Sequence, residues 1–390
     1  MMTPASIVAC NIYITAAASH SSTLLSLLRR AQDQCRQLRM QDDGHSTDAV
    51  TSVAPVAIVH AYADKPYDRS SFHLAGRSDS VSDVASRLIC NALNEIDLEN
   101  NKSGDDEESR HPFVGLVDHV AVIPLAPVNN NDSSNDVGSK CEAAANAARE
   151  IGRQISKTNL VNVYYYGMAC PQNTPLATVR RERTSFFKSG GAIDIEVGNK
   201  KDVSIAKEAT TLPNIALKGD TTIGTPSNFV ENFNIRLTSN VNFDQAKTLT
   251  QFVRGRNINA KGYGVVGVEA LTLPYVREAA EGGKVYEVAC NLTNPEEGGV
   301  DDIRAQLEKW IDRQRQQSSQ DYGTSGATDK DACKFNYDYF VEDAYRVGTT
   351  EEQCIHVLSN KEDSAGVSTN ELFWEEYDKE VYHKFQDFLQ

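Results

Sequence analysis

No apolar stretch in this chain approaches the roughly 20 residues that a membrane-spanning helix needs. The opening MMTPASIVACNIYITAAAS has no basic segment ahead of its apolar run, and Ile7 to Thr15 alternates like a strand, so a secretory signal is not expected. Paired cysteines are missing as well. Eight are scattered at Cys10, Cys35, Cys90, Cys141, Cys170, Cys290, Cys333 and Cys354, none spaced as a metal knuckle or redox motif. That scatter points to a reducing compartment, and so to a cytoplasmic protein. Positive charge is short: 39 Lys and Arg against 54 Asp and Glu leave a net charge of −15. Such a field repels phosphate backbones and anionic lipids, so neither nucleic acid nor membrane is an expected partner. No internal repeat of short period is found.

What is present suffices for a sizeable core. With 390 residues, 40% of them hydrophobic, two domains are the expectation. Four polar stretches, Gln41 to Ala49, Glu99 to Arg110, Asn129 to Lys140 and Arg315 to Ala332, read as surface loops, because their composition cannot support packing. Between them the period switches between strand and helix. Strands are predicted at Ile7 to Thr15, in VAPVAIVHAYA and SSFHLAGRS, in the segment after His111, and at Val161 to Gly167. Helices are predicted at Ser22 to Leu38, at Val81 to Leu98 with Ser80 or Ser82 as cap, and at Cys141 to Lys157. After a polar span the order restarts as strand, helix, strand, strand, helix, with a last strand near FNYDYFVEDAY. That order is a split βαβ, ferredoxin-like unit.

The expected fold is therefore α/β (α+β): two subdomains, each a mixed β-sheet covered by helices, the second ferredoxin-like. The boundaries read as 5–190 and 228–345, with a polar linker at 191–227 and a helical C-terminal extension at 346–390.

RHPFVGLVDHVAVIPLAP, from Arg110 to Pro127, joins a His-Pro pair, a glycine and an Asp-His pair to a strand. Alone, His111 reads as a strand-entry histidine satisfied by a carbonyl. A metal site of His111 with His119 is not expected, because a third ligand at suitable spacing is not evident. Tyr164 and Tyr166 alternate onto one face of their strand, either as an aromatic platform or split between core and surface. Among Arg180, Arg181 and Arg183 at least two read as a solvated helix face. The glycines of GVVGVE mark a bulge or a close ligand approach inside a strand.

Taken together, HPFVGLVDH, VYYYGMA followed by PLATVRR, FVENFNIRL and VYEVACNLTNPEEGG resemble, in order and spacing, the formiminotransferase family of glutamate formiminotransferases. The likeness is strongest to short stand-alone relatives that lack a cyclodeaminase domain. It runs from Ile7 to Gln314 and toward Tyr345, with His-Pro-x-x-Gly-x-x-Asp as its specific core.

The resemblance implies a folate-dependent transferase of one-carbon metabolism and histidine degradation. Such an enzyme moves a formimino group from formiminoglutamate to tetrahydrofolate, without a metal, as a homodimer. It implies His111 as general acid/base and Asp118 as its partner. It places ligand binding at Arg69, Gly115, Tyr164, Tyr166, Arg180, Lys218, Gly219, Gly224, Arg254, Gly264 and Gly267. The chemistry agrees. A folate nitrogen attacking a formimino carbon loses a proton that the leaving amine later needs, and one imidazole can carry both. Gly115 needs no side chain where the chain turns or approaches a ligand. Carboxylates of donor and folate call for arginines. Three departures define an alternative. Phe113 stands where the family has Arg, NIYITAAASHSS replaces Asn-Phe-Ser-Glu-Gly, and His60 and Tyr62 stand near an expected acidic residue, where Asp64 is the nearest carboxylate. The alternative is a catalytically impaired folate-binding or protein-interaction module that keeps the fold.

Overall fold

The computed structural model describes residues 6–42, 56–97, 112–125, 137–184, 217–277, 283–322, 337–359 and 369–390. The chain divides into two compact units. Of the described residues, those from 6 to 227 and from 351 to 390 form the first, and those from 228 to 350 the second.

In the first unit, β1 (Ile7–Ile14) is followed by α1 (Ser21–Asp42), the hairpin β2 (Val56–Asp64) and β3 (Arg69–Arg77), and α2 (Ser78–Glu95). Then come β4 (Val117–Pro124), α3 (Val137–Ser156), β5 (Asn162–Gly167), α4 (Leu176–Arg183) and β6 (Asp220–Thr225). The six strands lie in the order β2-β3-β1-β4-β6-β5. Each of the first four is antiparallel to its neighbour, whereas β6 runs parallel to both β4 and β5. One sheet face carries Ile12, Phe72, Leu74, Val120 and Ile223, which pack with Leu24 and Leu28 of α1, Val84 and Leu88 of α2, and Ile151 of α3 in one core. Burying such side chains stabilises by about 1.5–3 kcal/mol each, which is why these helices need a single apolar stripe.

Two details depart from the sequence expectation. Helix α2 starts at Ser78, and neither Ser80 nor Ser82 caps it. Arg77 is the N-cap without a side-chain bond, and the Asp79 carboxylate accepts from the Ser80 amide. The strand β3 runs straight into the helix, leaving no loop for a cap. The polar span that follows α4 in sequence contains β6, a Thr-rich strand whose six residues carry almost no apolar alternation.

The C-terminal helix pair α9 (Glu351–Ser359) and α10 (Thr369–Leu389) belongs to the first unit. Val381, Phe385 and Leu389 of α10 enter its core. Asp378 meets Arg39 of α1 at 2.9 Å, both nearly buried, and Arg39 stacks over Trp374.

The second unit comprises β7 (Glu231–Leu237), α5 (Phe243–Val253), the short α6 (Ile258–Lys261), β8 (Val268–Val276), β9 (Lys284–Leu292), α7 (Val300–Tyr322), the single turn α8 (Tyr337–Phe340) and β10 (Val341–Val347). Its antiparallel order is β10-β7-β9-β8, the ferredoxin-like arrangement expected. Asn242 and Gln245 form a reciprocal capping box that starts α5. Trp310 of α7 is fully buried and packs edge-on against Phe340. Trp310→Ala is expected to cost this unit about 3–5 kcal/mol by leaving a cavity, measured as a fall in the urea midpoint. No described helix is long and apolar enough to cross a membrane.

Candidate functional site

The face of the first sheet that holds Asn11 and Tyr13 is polar. Alternation and register put Asn11 opposite His73, Tyr13 opposite Ser71 and His119, and His119 opposite Thr222. On the outer side, His60 and Tyr62 lie opposite His73 and Ser71. On the other side, Tyr164 lies opposite Thr222 and Tyr166 opposite Gly224.

A bulge adds the decisive group. Tyr13 pairs with His119 but Ile14 pairs with Val117, so the ladder skips Asp118. A bulge breaks strict alternation, and two consecutive residues, Asp118 and His119, then serve the same side. The Asp118 carboxylate, 1% exposed, accepts from Arg69 Nη2 at 2.7 Å and Arg180 Nη2 at 3.1 Å on one oxygen, and from the Val114 amide at 2.9 Å on the other. Arg69 Nη1 also donates to the Pro112 carbonyl, 3.2 Å away, which fixes the backbone next to His111. Two half-buried guanidiniums thus share one carboxylate oxygen.

Beside this cluster Tyr13, His119 and Tyr166 form a stack, with centroids 5.8 Å and 5.3 Å apart. Burial, then Arg180 and Arg69, push His119 down to about 3 against the opposing pull of Asp118. Burial and Lys384 push His60 down to about 4, and burial with His60 takes His73 well below its ordinary value. All three are therefore neutral at physiological pH. A depressed histidine leaves the folded state with fewer protons than the unfolded one below the ordinary value of 6.5. Its stabilisation is thus whole above that value and is lost as pH falls toward the folded values. The urea midpoint is expected to drop as pH falls from 6.5 toward 4, less steeply in His73→Gln. An unchanged slope would remove His73 as a cause.

His73 lies between Asn11 Oδ1, 2.9 Å from Nδ1, and Ser71 Oγ, 3.0 Å from Nε2. This has the order of a nucleophile, base and orienting group. Ser71 is 2% exposed, however, so the three form a sealed polar contact rather than a reaction site.

Gly115, Gly219 and Gly224 lie where chains pack closely. Gly115 and Gly219 face each other in an isolated bridge. A Cβ on Gly115 would collide with the Asp220 carbonyl, and one on Gly219, whose φ is +95°, would come 2.6 Å from the Gly115 Cα. Gly115→Ala should cost about 1–3 kcal/mol by overpacking, visible as a lowered thermal midpoint. Gly224 likewise makes room for the Tyr166 ring. Lys218 donates to the Ile96 carbonyl and meets the Asp97 carboxylate at 3.0 Å, tying down the end of α2.

In the second unit, Arg254 Nε donates to the Ala270 carbonyl at 2.7 Å. Gly264 and Gly267, at φ +139° and +69°, form the turn before β8 instead of a bulge within it. Of the arginines in α4, Arg180 turns to Asp118 and Arg181 is exposed. Asp64 accepts from the Tyr67 amide and the Tyr62 hydroxyl, closing the β2–β3 turn. Phe113 is half-buried. His111 lies outside the described residues. Sequence reasoning missed Tyr13, whose only signal is alternation in β1, and Thr222, which β6 gives no signal for.

A mixed sheet with one apolar and one polar face, the latter carrying an arginine-carboxylate cluster, defines an α/β unit. More particularly, the chain is similar to the formiminotransferase family. Residues 44–207 match the formiminotransferase domain, N-terminal subdomain. The formiminotransferase cyclodeaminase-like protein of Arabidopsis thaliana is 25% identical over 273 residues, covering 67% of this chain and 80% of that protein. Among solved structures, the periplasmic protease PqqL from Escherichia coli matches at 9% identity and TM-score 0.17, over 96% of this chain and 41% of that one. A predicted insulinase family protease from Yersinia pestis matches at 10% and TM-score 0.16, over 97% and 92%. Scores this low carry no argument. The family supports a folate-related, formiminotransferase-like role.

Proposed function

We propose that this protein transfers a formimino group from formiminoglutamate to tetrahydrofolate, with His111 as proton carrier and the Arg69–Arg180 pair holding a substrate carboxylate. The observation that supports it best is the buried Asp118 carboxylate, which gathers two guanidiniums at 2.7 and 3.1 Å on one side of the sheet. In the reaction, a folate nitrogen bonds to the formimino carbon and gives its proton to the imidazole. The imidazolium then protonates the glutamate nitrogen, the bond from carbon to that nitrogen breaks, and glutamate leaves as the amine. The neutral Tyr13–His119–Tyr166 stack sets an uncharged, aromatic wall beside the carboxylate site.

The test is thermal unfolding with 5-formyltetrahydrofolate, a stable reduced folate, with and without formiminoglutamate. Ligands that bind only the native state raise the midpoint by mass action. A shift with folate that grows with the donor is expected. No shift with either ligand would overturn the proposal. A folate shift indifferent to the donor would favour the second reading, a binding module without turnover. Phe113 favours that reading, since an apolar ring stands where the resemblance implies a cation.

A further inference from the structure

The bulged residue Asp118 holds both arginines, yet the strand ladder skips it. Its carbonyl accepts from the Thr222 hydroxyl at 3.1 Å. That hydroxyl has a single hydrogen, so toward His119 Nδ1, 3.2 Å away, it can only accept. Nδ1 therefore bears the imidazole proton. A neutral imidazole has one N–H, so Nε2 presents a lone pair, and the Tyr166 hydroxyl 3.4 Å away donates to it. Valence alone fixes the direction of every bond, from Tyr166 through His119 and Thr222 to the Asp118 carbonyl. The chain crosses β5, β4 and β6 and ends on the residue that gathers Arg69 and Arg180.

We propose that His119 is a positioning residue, which through Thr222 locks the Asp118 bulge and thereby holds the Arg69–Arg180 pair in its anion-binding arrangement. His119 does not touch the arginines by hydrogen bond. It acts on them through the backbone of its neighbour, which a bulge leaves less constrained than a paired strand residue. The imidazole also contributes no charge, because burial and the two arginines keep it neutral. A protonated ring here would break the chain, because Nε2 could no longer accept from Tyr166.

Two measurements need no ligand. Nitrogen NMR of the wild-type imidazole at neutral pH should show a protonated Nδ1 and a bare Nε2. Phenylglyoxal modification of Arg69 and Arg180, followed peptide by peptide, should accelerate about tenfold in His119→Leu and in Thr222→Val, as a buried hydrogen bond is lost. His119→Asn, whose amide nitrogen replaces Nδ1 as donor to Thr222, should stay near the wild-type rate. A merely structural histidine would give equal effects for Asn and Leu. If His119→Leu does not fold, Thr222→Val, nearly isosteric, decides.

An Nε2–H tautomer, or unchanged arginine reactivity in the foldable variants, would overturn the inference. A third measurement, the affinity for 5-formyltetrahydrofolate, rests on the function proposed above and should weaken in parallel with the arginine reactivity. Failure of the wild type to bind folate would sink that function while leaving the NMR and labelling results to judge His119.

Discussion

Asp118→Ala should lower the free energy of unfolding by about 3–5 kcal/mol, the range for breaking a buried ion pair by removing one partner. The magnitude follows from the arrangement. The carboxylate is 1% exposed and answers two guanidiniums whose side chains are 13% and 12% exposed. Without it, two like charges remain side by side in a half-buried place, and the Val114 amide loses its acceptor. Urea denaturation of the whole chain measures the loss. Arg69→Ala in the same chain should recover part of it, because removing one cation relieves the other, so the double variant is less damaged than the sum of the singles. Additive losses would mean that Arg69 and Asp118 do not act as a pair. Asp118→Asn keeps the shape without the charge and should fall between.

His111→Ala should lower kcat by about 10²–10⁴-fold, the usual contribution of a positioned acid/base group. KM should change little, since the arginines and not the imidazole hold the carboxylate in the proposed site. The thermal midpoint should not move. A wild-type kcat/KM profile rising through a pKa near neutrality, absent in the variant, would mark the proton carrier. Turnover equal to the wild type would assign the proton to another group. No turnover in the wild type together with folate binding would select the binding-module reading that Phe113 favours.

Much of the fold was legible in the chain. Residues Val81 to Leu93 repeat at helical spacing because a helix on a sheet buries one stripe, and α2 lies there. The second unit's order of strands and helices sufficed to anticipate its ferredoxin-like sheet. Strand β6 was not legible, because a strand enclosed by two neighbours can be built from Thr and Gly when backbone pairing and the opposite face supply its stability. The cap of α2 was misplaced, since serine favours an N-cap only where a loop leaves it free to turn, and β3 leaves no such loop.

At the site, Asp118, Arg69 and Arg180 were each picked out by motif, but as a partner for His111 and as separate carboxylate ligands. That one carboxylate gathers both arginines is a fact of register, set by three segments 49 and 62 residues apart along the chain. Gly115 and Gly219 show the same limit: spacing marks them, but that they let two backbones pass is visible only in the fold.

By itself, then, the sequence determined the local periods, the alternation of strands and helices, the acidic balance, and the motif that points to the formiminotransferase family. Those are properties of neighbouring residues, written in spacings of two to four. Tertiary structure decided the bulge at Asp118, the stack of Tyr13, His119 and Tyr166, and the meeting of the two arginines. A strand's register, and with it the face each side chain serves, is settled only by what pairs with it, and those partners lie far away in the chain.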